Sequence, residues 1–446
     1  MKILFISLGC DKNLVDSEQM IALLGERGYE FTDNDDDADI VVINSCAFIK
    51  DAKEESIQTI IDAGELKRTG NAKCIVVAGC LAERYSESIK EELPEVDAIV
   101  GTTAFDKIVD VVEQVLEKKG VVEAKESIDK LTYVAGKRTI TTAGNYEYLK
   151  IAEGCNKRCT YCAIPYIRGH YRSVPMEQLV SDARQLAERG VKELILVAQE
   201  TTVYGIDLYG KKSLPELLRK LCEIDGLEWI RILYCYPEEI DDELIAVIKE
   251  QPKICNYLDL PIQHASDRIL KAMGRRTSKS ELVDIVSKLR REIPDITLRT
   301  TLISGFPGET DEEHAELVEF VKDMRFDRLG CFTYSPEEDT PAAEFDGQVE
   351  EAVKEERRDE IMTIQQEIAF EKSEEMVGKT LDVMIEGRIP EDHVYVGRTY
   401  RDAPGVDGMI FLDETGMGEL MTGDYVRALV TESSEYDLIG IKEGSK

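Results

Sequence analysis

The sequence predicts an α/β protein of three successive domains: a doubly wound parallel sheet, a partial (β/α)6 TIM-like barrel and a small antiparallel β-barrel. Two observations lead to this fold class. Apolar, β-branched runs alternate with helical patterns in two successive series, and after Gly378 the pattern changes to short alternating strands separated by Gly and Asp. We expect the domains to span residues 1–135, 136–375 and 376–446.

In the first domain, three apolar runs predict buried strands, and two helical patterns lie between them. The strands are expected at Lys2–Leu8, Ile40–Asn44 and Cys74–Ala78, and the helices at Ser17–Arg27 and Lys53–Lys67. Strand, helix and strand in this order favour parallel pairing. The stretch Gly136–Asn145 interrupts the pattern and is expected to be a linker.

Six further strand–helix units predict the second domain, which is expected to be an open barrel because a closed one needs eight strands. The strands are expected at Tyr146–Ala152, Glu193–Ala198, Trp229–Cys235, Tyr257–Leu260, Thr297–Ile303 and Arg328–Thr333. Thr310 and Glu313 form a capping box at the start of the helix Glu312–Met324. A long charged helix then leads to the short strands Thr380–Ile385, His393–Gly397, Gly408–Leu412, Tyr425–Thr431 and Leu438–Ile441.

The chain is strongly acidic. Its 446 residues contain 89 Asp and Glu against 55 Lys and Arg, a formal net charge of −34. This excess of acidic residues argues against a protein whose whole surface binds nucleic acid. The acidic charge either favours a basic partner or only keeps the chain soluble. Since no apolar run approaches the ~18 residues of a membrane span and the N-terminus lacks a cleavage signal, we expect a cytoplasmic protein with no membrane partner.

Three of the eleven cysteines are spaced as C-x3-C-x2-C directly after the first strand of the predicted open barrel. These residues are Cys155, Cys159 and Cys162. Such a loop can place three thiolates around an iron–sulfur cluster and leave one iron for an exogenous ligand. Zinc is the alternative, with His170 as the nearby fourth ligand. Lys157 and Arg158 can offset the charge of the thiolates.

A second set of cysteines follows the three strands of the first domain. Cys10, Cys46 and Cys80 each come at a strand end of the same polarity, so a parallel sheet brings them to one edge. They are either a second cluster site or buried, inert thiols. The remaining cysteines, Cys74, Cys222, Cys235, Cys255 and Cys331, lie in apolar patterns and are expected in the core.

Together, these motifs resemble the radical S-adenosylmethionine superfamily, and within it the methylthiotransferases, whose C-terminal barrel is called the TRAM domain. The resemblance covers essentially the whole chain. The blocks that carry it are SLGCDKNLVDSE, LPIQHASDRILKAMGRR, LISGFPGET and YSPEEDTPAA. They are most similar to the RimO branch, which modifies ribosomal protein S-twelve.

The resemblance implies two [4Fe-4S] clusters and S-adenosylmethionine as cofactors. Cys155, Cys159 and Cys162 would hold the cluster whose open iron binds S-adenosylmethionine, and reductive cleavage would give a 5′-deoxyadenosyl radical that abstracts a C–H hydrogen. The first-domain set, Cys10, Cys46 and Cys80, would hold an auxiliary cluster for sulfur insertion. The target in this branch is the β-carbon of one aspartate of the basic ribosomal protein. An electron donor and a sulfur donor are also implied.

Other residues are weaker candidates. Tyr161, Gln263 and Gly305 are predicted to contact the cofactor, although Tyr161 could equally pack the loop and Gly305 could serve only a turn. Arg275 could bind a carboxylate of cofactor or substrate, or could end a solvated helix. Glu337 and Glu338 are expected near the substrate by resemblance alone.

Two other functions remain open: the same chemistry on transfer RNA, as in the MiaB-like branch, and a noncatalytic iron–sulfur electron carrier. A carrier needs no open iron and usually has four Cys ligands per cluster. Residues 379–446 contain seven Lys and Arg against fourteen Asp and Glu, a net charge of −7. This charge disfavours an RNA backbone at the last barrel and favours the basic ribosomal protein there.

Overall fold

The structure, a computed structural model, describes residues 1–117 and 120–444. Residues 118–119 of the predicted first domain and 445–446 of the predicted third domain lie outside the described residues. Within the described ranges, no helix is both long enough and apolar enough to cross a membrane.

The first part of the chain is a doubly wound parallel sheet, as predicted. Its strands are ordered β2-β1-β3-β4-β5-β6, and every neighbouring pair is parallel. Strands β3 and β4 are buried along their whole length, which explains their continuous apolar runs. The elements are β1 (Lys2–Ser7), α1 (Asp11–Glu26), β2 (Glu30–Thr32), β3 (Ile40–Ser45), α2 (Lys50–Thr69), β4 (Cys74–Gly79), α3 (Cys80–Arg84), α4 (Ser86–Glu92), β5 (Ala98–Val100), α5 (Ile108–Glu117) and β6 (Val122–Ala124).

The second part contains an open six-stranded parallel sheet in the order β7-β10-β11-β12-β13-β14, with β8 and β9 paired separately. Because β7 and β14 remain at its two edges, the partial barrel is confirmed. The elements are β7 (Tyr146–Lys150), β8 (Ala152–Glu153), α6 (Ile164–Arg168), β9 (Arg172–Ser173), α7 (Met176–Glu188), β10 (Glu193–Val197), α8 (Ile206–Tyr209), α9 (Leu214–Cys222), β11 (Trp229–Ile232), α10 (Asp242–Glu250), β12 (Ile254–Asp259), α11 (Asp267–Ala272), α12 (Lys279–Glu292), β13 (Thr297–Ser304), α13 (Asp311–Met324), β14 (Arg328–Thr333) and α14 (Glu351–Glu374).

Two local features of this part also follow the sequence pattern. The capping box of Thr310 and Glu313 is present at the start of α13. The long charged helix is α14, which packs on β14 and β13 and so covers the last strands of the open sheet. Single-turn 3-10 helices occur at Asp35–Asp37, Phe105–Lys107, Pro237–Glu239, Pro341–Glu344 and Pro390–Asp392.

The C-terminal part is a closed barrel in the order β15-β16-β17-β19-β18. The predicted barrel is confirmed, with one difference: β17 and β19 pair in parallel, whereas the other pairs are antiparallel. Five strands of alternating direction cannot close without one parallel pair, which explains the difference. The strands are β15 (Thr380–Ile389), β16 (Val394–Arg398), β17 (Ile410–Asp413), β18 (Tyr425–Ser433) and β19 (Leu438–Lys442).

The predicted linker fastens the first sheet to the second. Arg138 forms ion pairs with Glu18 of α1 and Glu147 of β7, both of which are fully buried. Burial raises the pKa of Glu147 to about 7, in spite of Arg138. The linker therefore holds α1 beside β7, and this arrangement places the N-terminal cysteines next to the open barrel.

Candidate active site

The cysteines of the first sheet follow the carboxyl ends of three adjacent strands, and the structure brings them together. Cys10, Cys46 and Cys80 follow β1, β3 and β4. A Cβ atom added to Gly9, which has a φ of +88°, would lie only 2.8 Å from Cys46 Cβ and 2.9 Å from Cys46 Sγ. The turn before Cys10 thus packs directly on Cys46, and only glycine leaves room for it.

Hydrogen bonds fix this edge of the sheet. Asn13 Nδ2 donates to the carbonyl oxygens of Leu8 and Ser45, each at 3.0 Å, and so joins the ends of β1 and β3. Ser56 of α2 accepts a hydrogen bond from Cys46 N at 2.9 Å and donates to Cys46 O at 3.0 Å. The positions of the two loops are therefore set independently of any ligand.

Cys80 is in contact with the second sheet through Arg168. The guanidinium Nη2 of Arg168 lies 3.4 Å from Cys80 Sγ. The pKa of Cys80 is raised to about 12, mainly by burial; Arg168 opposes this rise, and Cys10 and Cys46 contribute to it. A positive donor beside a thiolate stabilises its charged form, which is the form that binds metal.

The second set of cysteines lies on a loop pinned to the mouth of the open barrel. Cys155 N donates to Gly169 O at 3.1 Å, and Cys162 N donates to Cys159 O at 3.1 Å. Thr160 N donates to Met273 O at 2.9 Å, which attaches the loop to the end of α11. Burial raises the pKa of Cys155 to about 12.

Two residues beside this loop were not identified by the motif. Tyr236 OH lies 3.6 Å from Cys159 Sγ, and the guanidinium of Arg275 lies 4.2 Å from the ring centroid of Tyr236. Arg275 is 6% exposed, and its Nε and Nη1 atoms have no hydrogen-bond partner within the described chain. The cation of Arg275, weighed above against a solvated helix end, is thus buried beside the cysteine loop. By contrast, Lys157 is already paired with Glu238 and Glu239.

The predicted cofactor contacts have different surroundings. Tyr161 is half-buried and packs against the apolar cluster around Phe306 and Met273. Gln263 is buried, has a φ of +73° and forms a bridge with Leu302 of β13. At Gly305, an added Cβ would lie 2.2 Å from Lys354 Cγ, so its close approach is to α14. Cofactor contact by Tyr161, Gln263 and Gly305 stays a prediction.

The weaker candidates also have clear positions. His170 is 63% exposed at its side chain, and its Nδ1 lies 2.8 Å from Asp129. Glu337 is buried and pairs with Lys53 at 2.9 Å and Arg84 at 3.0 Å, and Glu338 Oε2 accepts from Tyr85 OH. Both glutamates therefore bind the first sheet's helices, an arrangement that the sequence pattern did not indicate.

Similarity to known proteins decides the family. Over 443 residues, the chain is 62% identical to the Ribosomal protein uS12 methylthiotransferase RimO of Lachnoclostridium phytofermentans, a match that covers 99% of this chain and 100% of that protein. A protein of the same description from Clostridioides difficile is 48% identical over 99% of this chain and 98% of its own length. Another from Acetivibrio thermocellus is 49% identical over 100% of this chain and 99% of its own length. The chain belongs to the RimO methylthiotransferase family.

Family models agree with this RimO membership, and solved structures share the fold. Residues 149–321 match the Radical SAM superfamily, residues 2–101 the Uncharacterized protein family UPF0004 and residues 377–441 the TRAM domain. The fold is similar to the radical S-adenosylmethionine methyltransferase TsrM of Kitasatospora setae, with a TM-score of 0.56 and 14% identity over 76% of this chain and 74% of that chain. It is also similar to the radical enzyme OxsB, with a TM-score of 0.52 and 13% identity over 82% and 56% of the two chains.

Membership of the RimO family makes the chain a transferase of the radical S-adenosylmethionine superfamily, which uses a [4Fe-4S] cluster and S-adenosylmethionine. The residues Cys155, Cys159 and Cys162 fit such a group, since they are three cysteines on one hydrogen-bonded loop. Within the described chain, no group of three or more His, Cys, Asp or Glu side chains is arranged to bind a metal ion.

We expect Gly9→Ala to destabilise this RimO-family chain more than Gly28→Ala. Both glycines have positive φ, at +88° and +99°, but an added Cβ at Gly28 meets nothing within 4 Å. Each substitution should cost about 1 kcal/mol of left-handed strain, and the overlap with Cys46 should add about 1–3 kcal/mol at Gly9. Thermal unfolding and iron content of the reconstituted protein measure the difference. Equal unfolding temperatures and iron contents for the two variants would contradict the close packing of Gly9 on Cys46.

Proposed function

We propose that this chain inserts a methylthio group at the β-carbon of an aspartate of ribosomal protein uS12, with two [4Fe-4S] clusters and S-adenosylmethionine. The observation that supports this most is the presence of two separate cysteine sets at the carboxyl ends of two adjoining parallel sheets. An electron carrier usually has four Cys ligands per cluster, whereas each set in this chain has three. The relatives described above are named as methylthiotransferases of ribosomal protein uS12.

In this proposal, Cys155, Cys159 and Cys162 hold the cluster that binds S-adenosylmethionine, and Cys10, Cys46 and Cys80 hold the auxiliary cluster. When bound, these groups supply the one-electron chemistry and the sulfur that an unactivated C–H bond requires. The chain holds the first set at strand ends and the second set on the pinned loop, and it buries four of the six cysteines, namely Cys46, Cys80, Cys155 and Cys159.

Two buried side chains near the second cysteine set suit the carboxylate and the ammonium group of an amino acid. Arg275 offers two unpartnered N–H donors, which suit a carboxylate. Burial raises the pKa of Glu200 to about 7, and its Oε2 atom has no hydrogen-bond partner in the described chain. An ammonium group would supply that partner, so Arg275 and Glu200 together suit the methionyl part of S-adenosylmethionine.

The last barrel suits a basic protein substrate. In residues 379–444, nine acidic side chains are exposed against three basic ones. Two of the basic residues of this barrel, Arg398 and Arg401, are buried in ion pairs and contribute nothing at the surface. The exposed surface is therefore acidic enough to attract a ribosomal protein and to repel the transfer RNA of the MiaB-like alternative. A ribosomal substrate places the reaction in the cytoplasm.

We also propose that the domains divide at residues 1–135, 136–375 and 376–446. The linker 136–145 contains no helix or strand, and α14 packs on the sheet of the second domain and ends just before the barrel. These two features support the division.

Anaerobic incubation of the reconstituted chain with uS12, S-adenosylmethionine, sulfide and a reductant is expected to add one methylthio mass to a single aspartate. Mass spectrometry of the intact protein and its peptides measures the product. Transfer RNA serves as the competing substrate in a parallel reaction. Methylthio transfer to the RNA with an unmodified protein would overturn the uS12 assignment and favour the MiaB-like activity.

A further inference from the structure

Lys12 is a buried cation whose ammonium forms no hydrogen bond to a carboxylate within the described chain. It lies in the first turn of α1, two residues after Cys10, and is 6% exposed. Its ammonium lies 3.3 Å from the ring centroid of Tyr234. Within the described residues, its nearest ion-pair partner is Asp11, whose Oδ2 atom is 3.9 Å away. Burial of an ammonium is costly unless the group is paired and hydrogen-bonded.

Asp11 does not fill this role, because its Oδ2 atom, which accepts a hydrogen bond from Tyr234 OH at 3.0 Å, lies too far from the Lys12 ammonium. A separation of 3.9 Å is beyond the range of a hydrogen bond from Lys12. The aromatic ring favours the charged ammonium but accepts no hydrogen bond of ordinary strength. Lys12 thus has unused donors in a buried position, which is the arrangement expected of a group that binds an anionic ligand.

The position of Lys12 lies between the two cysteine sets. Cys10 of the first set is two residues before it, and Tyr234 follows β11 of the open barrel. Two residues further on, Tyr236 contacts Cys159 of the second set. Tyr234 has a φ of +61°, a strained conformation for a non-glycine residue, and Asp259 fixes it by accepting from its amide at 3.1 Å. Such strain is concentrated at ligand-binding positions.

We propose that Lys12 binds the side-chain carboxylate of the substrate aspartate. This inference rests on the proposed function and identifies the group that would recognise its substrate. In aspartate, the carboxylate is bonded directly to the β-carbon. An ammonium that holds the carboxylate at this point therefore also holds the reacting carbon between the two cysteine sets, and it selects aspartate over a neutral side chain.

The test compares binding of uS12 and its target Asp→Asn variant to the reconstituted full-length enzyme, with S-adenosylmethionine present and no reductant. Fluorescence anisotropy of labelled uS12 gives the dissociation constants. We expect the wild-type enzyme to bind the Asp form about tenfold more tightly than the Asn form, the effect of one lost charged hydrogen bond. We expect Lys12→Met to weaken binding of the Asp form about tenfold and to bind both forms equally.

Lys12→Arg, which keeps the charge, should retain part of the preference for the Asp form. Lys50→Met removes an exposed ammonium of the same sheet's α2, 72% exposed at its side chain, and should leave both affinities unchanged. Iron content and the visible spectrum of each variant show that the clusters are intact. If the Lys12→Met variant loses iron, the Lys12→Gln variant is used in its place. It is expected to lose the preference for the Asp form of uS12 in the same way.

Two results would overturn the inference. In one, the Lys12 variants keep the wild-type preference for Asp over Asn. In the other, the affinity for S-adenosylmethionine falls tenfold while that preference is unchanged, which would assign Lys12 to the carboxylate of the cofactor. Failure of the proposed function is distinguishable, because the wild-type enzyme would then leave uS12 unmodified in the methylthio assay.

Discussion

Cys10→Ala is expected to abolish methylthio transfer to uS12 while reductive cleavage of S-adenosylmethionine continues. Cys10 lies at the edge of the first sheet with Cys46 and Cys80, whereas the second set lies on a loop at the mouth of the other sheet. Loss of one of three ligands should lower transfer by about 100-fold or more, since even outer-shell changes at metal sites cost 10–100-fold. Cleavage to 5′-deoxyadenosine should stay within about twofold of the wild type.

Cys155→Ala gives the opposite test, because it should eliminate both activities. Cys74→Ala is the matched control: Cys74 is 1% exposed in β4 of the same sheet as Cys10, but it lies at the other end of the strand from Cys80. This variant should retain both activities and the wild-type iron content. Liquid chromatography with mass spectrometry measures the two products in one reaction. Equal loss of cleavage and transfer in Cys10→Ala would show that the two cysteine sets do not act separately.

The long buried strands were predictable because their sequence pattern is continuous. The six strands of the open barrel and the strands β1, β3 and β4 of the N-terminal sheet were predicted within a few residues of their bounds. Strands β2, β5 and β6 were not predicted. Each has only three residues, and β2 and β6 are partly or fully exposed, so neither length nor apolar pattern distinguishes them from loops.

The clustering of the N-terminal cysteines was also predictable, since parallel topology brings strand ends of one polarity to a common edge. The contacts between domains were not predictable. Lys12 meets Tyr234, and Glu337 meets Arg84, only after the two sheets pack together, across 222 and 253 residues of sequence respectively. A charged residue in a loop looks solvated in a sequence until the partner that buries it is known.

Arg168→Met is expected to destabilise the chain by about 3–5 kcal/mol, the usual cost when one partner of a buried ion pair is removed. Arg168 is 2% exposed at its side chain, and its Nη1 atom lies 2.9 Å from Asp16 Oδ2 and 3.0 Å from Glu153 Oε2. Burial alone would raise the pKa of Glu153, but Arg168 and Lys150 hold it below its ordinary value. Without Arg168, Lys150 is the one cation of the described chain that forms an ion pair with these two buried carboxylates.

The same substitution should lower the iron content of the first cysteine set, because Arg168 also donates to Cys80 Sγ at 3.4 Å. Arg168 follows Cys162 by six residues, so it links the loop of one set to a thiolate of the other. Urea unfolding measures the stability, and iron analysis after reconstitution measures the loading. Adding Asp16→Asn to Arg168→Met should recover part of the lost stability, since it removes one of the two buried carboxylates that then share Lys150.

Arg184→Met, on the exposed face of α7, is the matched control. It should change the free energy of unfolding by no more than about 0.5 kcal/mol and should leave the iron content unchanged. Arg168→Lys should fall between the two, because it keeps the charge but loses the fork that reaches Asp16 and Cys80 together. If Arg168→Met were as stable and as fully loaded as Arg184→Met, then Lys150 alone would balance Asp16 and Glu153, and the contact with Cys80 would have no bearing on the cysteine set.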